Sequence, residues 1–224
     1  MLRRDYLLRM IQQAAEALAR IDRLKRDRRW ENAGEAVDTE LGQLVGVDAR
    51  TVSQLSQTEL LARVIRGEST LAVKEKTLFV SALLKQAGDV AVEQDKIEEG
   101  RACYLKGLQL LLDALSEPDV REFPEFTPRV EMFTIALSDA PLPIQAAGSL
   151  MQHYERTGQF AKAEDTLFSM IELQPDNPEL LDFGIAFCKR LLTKPDDALV
   201  VGNLPRDEVE CSLNELSEKR KSNG

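Results

Sequence analysis

Side chains that could act in catalysis are few in this chain of 224 residues. A Ser-His-Asp or Cys-His site needs a histidine as its base, and His153 is the only histidine. It lies beside Tyr154, with no serine or cysteine at a motif spacing. A packed or solvated histidine is the simpler interpretation. No catalytic residue is therefore predicted, and an enzyme with a site built from distant residues is the third hypothesis.

The possible metal ligands are equally scattered. Cys103, Cys188 and Cys211 are widely spaced, and each falls inside a predicted helix. With one histidine they match no zinc-ligand spacing, and they form no disulfide framework. We expect reduced, half-buried thiols of a cytoplasmic protein. Phosphate loops of the GxxxxGK[ST] or GxGxxG type are also missing, so no metal or cofactor is predicted.

Positive charge is concentrated at the start of the chain. The net charge of −9 argues against a protein built overall to bind nucleic acid, yet residues 1–29 carry a balance of +5. Basic residues at a helix end attract phosphates, and such binding weakens steeply with salt. An acidic protein, nucleic acid or the chain's own acidic remainder could each neutralise them. The candidate basic patch consists of Arg20, Arg23, Lys25, Arg26, Arg28 and Arg29.

The helices that would position such residues are clearest at 147–178. Apolar and small residues recur there at the spacing of three and four that an amphipathic helix requires, in two runs. Gly158 lies between the runs, where a helix end commonly needs a positive φ. Pro175 ends the second run. Asn177 followed by Pro178 predicts an N-cap and the first turn of a third helix.

This pattern resembles the tetratricopeptide repeat, a helix-turn-helix unit of about 34 residues. Ala147 and Met151 depart from the family, which often has Trp and Gly at these places. A generic helical hairpin of a bundle is the alternative. The matching residues are Leu150, Tyr154, Gly158, Phe160, Ala163, Leu167 and Pro175.

Small residues recur at long intervals. Ala33, Gly100 and Ala163 are separated by 67 and 63 residues, each close to two repeat lengths. Gly100 and Gly107 fall inside a predicted helix, where each glycine costs up to about 1 kcal/mol relative to alanine. We expect close packing of a partner helix to compensate for this cost.

The fold predicted is all-α: a helical-hairpin, tetratricopeptide-like array with irregular inserted helices, forming a single domain over residues 1–224. Asp48 and the capping box Ser56-Gln-Thr-Glu59 predict two short inserted helices, the second ending at Gly67. No apolar run is long enough to span a membrane. The predicted parts are N-terminal helices with a loose first hairpin (1–70), a second hairpin (71–115), a Pro-rich loop and short helix (116–140), the best-matching hairpin (141–175) and C-terminal capping helices (176–224).

Stacked helical hairpins form a concave groove, which predicts a protein or peptide as partner. The alternatives are that the groove residues are only solvated, or that the inserted helices fill the groove. Ser149 stands where the carboxylate clamp of some tetratricopeptide proteins needs Asn, so that clamp is not predicted. The candidate groove residues are Lys85, Asp89, Glu93, Gln152, Glu155 and Arg156.

Three segments together resemble an uncharacterised bacterial family of about this length: RRDYLLRMI (3–11), YERTGQFAKAED (154–165) and DNPELLDFGIAF (176–187). The resemblance implies a helical fold and a bacterial cytoplasmic setting, and it transfers no catalytic residue. The sequence therefore favours a protein-interaction or adaptor module, with nucleic-acid or phosphate contact through the basic patch as the alternative.

Overall fold

The computed structural model describes residues 2–66, 70–116 and 123–222. Within those ranges the secondary structure is helical and no strand occurs, so the all-α prediction is confirmed. The chain divides into two compact units, Met1–Ala140 and Pro141–Gly224. Gly67, the predicted end of an inserted helix, lies outside the described residues. The single domain expected from the sequence stays a prediction.

The first unit contains seven of the described helices. They pack around α5, which contacts α1, α2, α3, α4 and α6, while α7 packs against α6. Their bounds are α1 Leu2–Arg26, α2 Trp30–Val45, α3 Ala49–Gln54, α4 Gln57–Ile65, α5 Thr70–Glu93, α6 Ile97–Ser116 and α7 Val130–Ala136.

Helix α5 is buried on nearly every side, since apolar residues surround its axis from Ala72 to Ala91. A helix that is hydrophobic all round belongs in a core. Its buried hydroxyl at Ser81 donates a hydrogen bond of 2.8 Å to the carbonyl oxygen of Gly107 in α6. Of the candidate groove residues on this helix, Lys85 and Asp89 are half-buried and Glu93, at its end, is exposed.

The second unit contains the remaining described helices. Contacts join α8 to α9, α9 to α10, and α10 and α11 to α12. Asn177 caps α10 by accepting hydrogen bonds from the N–H groups of Glu179 and Leu180, and Pro178 opens the helix, as predicted. The bounds are α8 Ile144–Arg156, α9 Phe160–Leu173, α10 Pro178–Leu192, α11 Asp196–Val201 and α12 Arg206–Ser222.

Four helix-helix turns share one backbone geometry. Each has a residue with positive φ: Arg28 (56°), Asp95 (61°), Gly158 (75°) and Asn203 (57°). In each turn the next residue donates its N–H to the carbonyl five residues back, at 2.9–3.0 Å. This is the Schellman arrangement, which satisfies carbonyls at the end of the first helix and starts the second. The positive φ expected at Gly158 is confirmed.

The recurring small residues follow these turns. Ala33, Gly100 and Ala163 each lie five residues after the positive-φ residue, and all three are buried. A Cβ added at Gly100 would lie 3.1 Å from the carbonyl oxygen of Gly88, and one at Gly107 would lie 2.6 Å from the ring of Phe133. The predicted close approach of helices at both glycines is confirmed.

The short inserted helices α3 and α4 begin where their caps predict. The Asp48 carboxylate accepts from the N–H of Thr51, and Ser56 with Glu59 forms the complete capping box. Lys106 of α6 donates a hydrogen bond of 2.6 Å to the carbonyl oxygen of Leu55. This bond holds the C-terminal end of α3 against α6. Helix α7, the short helix predicted within 116–140, begins at Val130 after the N-cap residue Arg129.

Candidate functional site

The candidate basic patch is divided by the fold. Arg20 of α1 pairs with Glu40 of α2, with 2.9 Å between nitrogen and oxygen. Lys25 turns towards α5 and is half-buried, whereas Arg23, Arg26, Arg28 and Arg29 are exposed. Two of the six residues are therefore engaged in ion pairs, and four are exposed.

Lys25 meets two of the candidate groove residues. Its ammonium lies 2.5 Å from the Asp89 carboxylate, and Lys85 reaches the same carboxylate at 2.7 Å. The hydroxyl of Tyr104, from α6, donates to Asp89 at 2.8 Å. Asp89 keeps only 23% of its side-chain surface exposed. This charge cluster joins α1, α5 and α6 and brings together residues that the sequence had assigned to different sites.

The environment of this cluster fixes its protonation. Burial by itself raises the pKa of Asp89, but hydrogen bonds from Lys25 and Lys85 outweigh it and hold that pKa below its usual range. Burial and the neighbouring carboxylate raise the pKa of the Tyr104 hydroxyl. At neutral pH the cluster is therefore an ionised carboxylate that accepts from two ammonium groups and one protonated phenol.

The other groove candidates are less enclosed. In the second unit Glu155 forms a bidentate pair with Arg190 of α10, at 2.8 and 2.9 Å. Gln152 and Arg156 are exposed on α8, and Glu93 is exposed at the end of α5. Arg156 lies 3.5 Å from the Nδ1 atom of His153. Whether these side chains bind a partner stays a prediction.

A cavity of about 550 Å³ opens beside the α1–α2 and α5–α6 turns. Arg28 and Arg29 of the basic patch line this cavity, and the other lining residues were not predicted from the sequence as site residues. Arg29 and Lys96 occupy the same position after their positive-φ turn residues, a correspondence that only the structure shows. The lining residues are Arg28, Arg29, Trp30, Glu31, Asn32, Gln94 and Lys96.

The model of a family of unknown function (DUF6483) matches residues 1–221. The chain belongs to this family. The match spans both units, and the resemblance to an uncharacterised family is confirmed to that extent. No curated protein and no solved structure matches the chain. The family's description names no activity, so chemistry has to be argued from this chain's own residues.

The cysteines differ from their expected half-burial. Cys103 and Cys188 are fully buried, and Cys211 is exposed on α12. Burial raises the pKa of both Cys103 and Cys188 to about 11, so neither forms a thiolate at neutral pH. The burial of the cysteines could not be predicted, because periodicity assigns each cysteine to a helix but does not say which face of that helix another helix covers.

The described residues contain neither a metal-ligand cluster nor a helix suited to span a membrane. Over the described residues, His, Cys, Asp and Glu side chains form no group of three or more that could hold a metal ion. Across the same ranges, no helix combines the length and the apolar character needed to cross a bilayer.

Proposed function

We propose that this protein is a protein-interaction or adaptor module of the bacterial cytoplasm, built from tetratricopeptide-like hairpins. The observation that carries the proposal is the recurrence of one turn geometry at Arg28, Asp95 and Gly158, each followed five residues later by a small buried residue. Repeated helical hairpins present successive helix faces to partners, which is the common use of such arrays.

Helix α8 offers the best candidate contact surface. Its buried side carries Leu150, Met151 and Tyr154. The opposite side is polar and exposed, and its residues follow the helical spacing of four, three and four that places them on one face. We call this exposed row the α8 stripe; it consists of Gln145, Ser149, Gln152 and Arg156.

The composition of the α8 stripe favours a polar peptide or protein segment. Its amides and hydroxyl offer donors and acceptors, and Arg156 adds a positive charge that suits a carboxylate. The half-buried charge cluster around Asp89 is less suited to this role, because a ligand would have to replace ion pairs that already exist. We therefore place partner binding on α8.

Site-directed photo-crosslinking tests this function. A photoreactive residue at Gln152 is compared with one at Glu172, which is equally exposed but lies on α9. Full-length protein carrying either probe is mixed with nuclease-treated lysate, and adducts are identified by mass spectrometry. We expect one protein to be captured from Gln152 and not from Glu172.

Charge reversal supplies the matched control. Arg156→Glu should weaken binding of the captured partner about tenfold, since a charged hydrogen bond contributes about 1.5–3 kcal/mol. Lys189→Glu changes the net charge equally on α10 and should leave binding unchanged. Identical adducts from both probe positions, or equal effects of both reversals, would refute α8 as the contact surface.

A further inference from the structure

The cavity between the α1–α2 and α5–α6 turns has a basic lining in an acidic protein. Arg28, Arg29 and Lys96 contribute three positive charges, and Glu31 is the only acid among the lining residues. The chain as a whole carries −9. The cavity therefore attracts anions where most of the surface repels them.

Two of these cations, Arg29 and Lys96, have neutral partners. The Nε of Arg29 donates to the side-chain oxygen of Asn32 at 3.2 Å, and Lys96 donates to that of Gln94 at 2.9 Å. No carboxylate of the described residues forms an ion pair with Arg28, Arg29 or Lys96. On α1, by contrast, Arg20 pairs with Glu40 and Lys25 pairs with Asp89. The charges of the cavity remain available to an external anion.

The backbone at the start of α2 adds to this attraction. Arg29 is its N-cap and provides no side-chain oxygen to the first-turn N–H groups. Those groups, together with the helix dipole of this 16-residue helix, favour negative charge at the same place as the three basic side chains.

Trp30 and the cavity size indicate what kind of anion fits. The cavity is open, since five of its seven lining residues are exposed, and its volume of about 550 Å³ is larger than a bare ion needs. The half-buried indole of Trp30 supplies an apolar ring on which a planar base can stack. Guanidinium groups match phosphate oxygens in a bidentate manner.

We propose that this cavity binds a nucleotide-sized phosphate ester. The phosphates lie against Arg28, Arg29 and Lys96, and the base packs on Trp30. A nucleic-acid strand fits less well, because Arg20 and Lys25, which could extend the contact along α1, are engaged in ion pairs.

Trp30 makes the test direct, since it is the only tryptophan in the protein. The full-length protein is titrated at low salt with ADP, adenosine and inorganic phosphate, and tryptophan fluorescence is corrected for absorption with free tryptophan. We expect a saturable change with ADP, weaker binding of adenosine, and displacement of ADP by excess phosphate or by salt.

Variants locate the site. Arg29→Gln and Lys96→Gln should each raise the Kd for ADP about tenfold, because each removes a charged hydrogen bond. Arg28→Gly should do the same while keeping the fold, since glycine adopts the positive φ of this turn more readily than arginine does. Arg23→Gln removes an exposed charge of α1 outside the lining and should leave Kd unchanged.

Several results would overturn the assignment. No saturable response to millimolar ADP would exclude a nucleotide site. An equal loss of affinity in Arg23→Gln would indicate general electrostatic attraction. Tighter binding of a single-stranded oligonucleotide, or of an acidic peptide, together with no response to ADP, would assign the surface to a macromolecular ligand instead. Thermal melts of each variant show that a lost response does not reflect unfolding.

Discussion

Adding a single methyl group at Gly100 measures how closely α5 and α6 approach. An alanine Cβ there would lie 2.7 Å from Cγ2 of Val92 and 3.1 Å from the backbone oxygen of Gly88. The Val92 side chain is partly exposed and can rotate. The Gly88 carbonyl belongs to the α5 backbone, so relieving that contact requires the two helices to separate.

Two opposing terms set the magnitude. Alanine is favoured over glycine in a helix interior by about 1 kcal/mol, whereas overpacking a close contact costs about 1–3 kcal/mol. We therefore expect Gly100→Ala to lower the free energy of unfolding by about 0–2 kcal/mol, and Gly100→Leu to lower it by about 1–3 kcal/mol. Gly42→Ala is the matched control in α2, because its added Cβ meets no packing neighbour within 4 Å beyond the adjacent residues and the backbone of its own helix. That variant should gain up to about 1 kcal/mol.

Urea unfolding followed by Trp30 fluorescence measures both variants, since Trp30, Gly42 and Gly100 lie in the same unit. The free energies of unfolding of the two alanine variants should differ by about 1–3 kcal/mol, with Gly42→Ala the more stable. If Gly100→Ala is as stable as Gly42→Ala, the helices do not pack at the distance described, and the glycines have another explanation.

Two further predictions concern titratable groups. Asp89→Asn should lower the free energy of unfolding by about 1–3 kcal/mol at neutral pH, because two lysines lose their ionised partner. Glu40→Gln should cost less than about 1 kcal/mol, because Glu40 pairs with Arg20, whose side chain is 55% exposed. Since the pKa of Asp89 is lowered by folding, its stabilising effect is complete above the unfolded value of about 3.9 and is lost as the pH falls below it. The difference between wild type and Asp89→Asn, measured by urea unfolding, should therefore shrink below about pH 4; a difference independent of pH would contradict the ion pairs. Among the cysteines, a thiol reagent should modify only Cys211 in the native protein and all three after denaturation. The reason is that Cys103 and Cys188 are buried and protonated. Rapid modification of either buried thiol in the native protein would disagree with this packing.

Local sequence signals predicted the helix boundaries well where a cap or a breaker marks them. Ser56 with Glu59, Asn177 with Pro178, and Gly158 each act within a few residues, so no tertiary information is needed to interpret them. The turns at Arg28 and Asp95 were harder to find, because neither residue is glycine and their positive φ is tolerated only in the context of the packed hairpin.

The sequence by itself determined the all-α class, the helix ends marked by Asp48, Ser56, Gly158 and Asn177, and the recurrence of small residues at Ala33, Gly100 and Ala163. These features depend on periodicity and local backbone preferences. Tertiary structure alone decided which charges meet. Lys25 and Asp89 are 64 residues apart and form one half-buried pair, while Arg29 and Lys96 line one cavity and pair with no carboxylate in the part of the chain that the structure describes. Contacts of this kind depend on how helices pack around α5, and that packing is set by the shape of many side chains together rather than by any short motif.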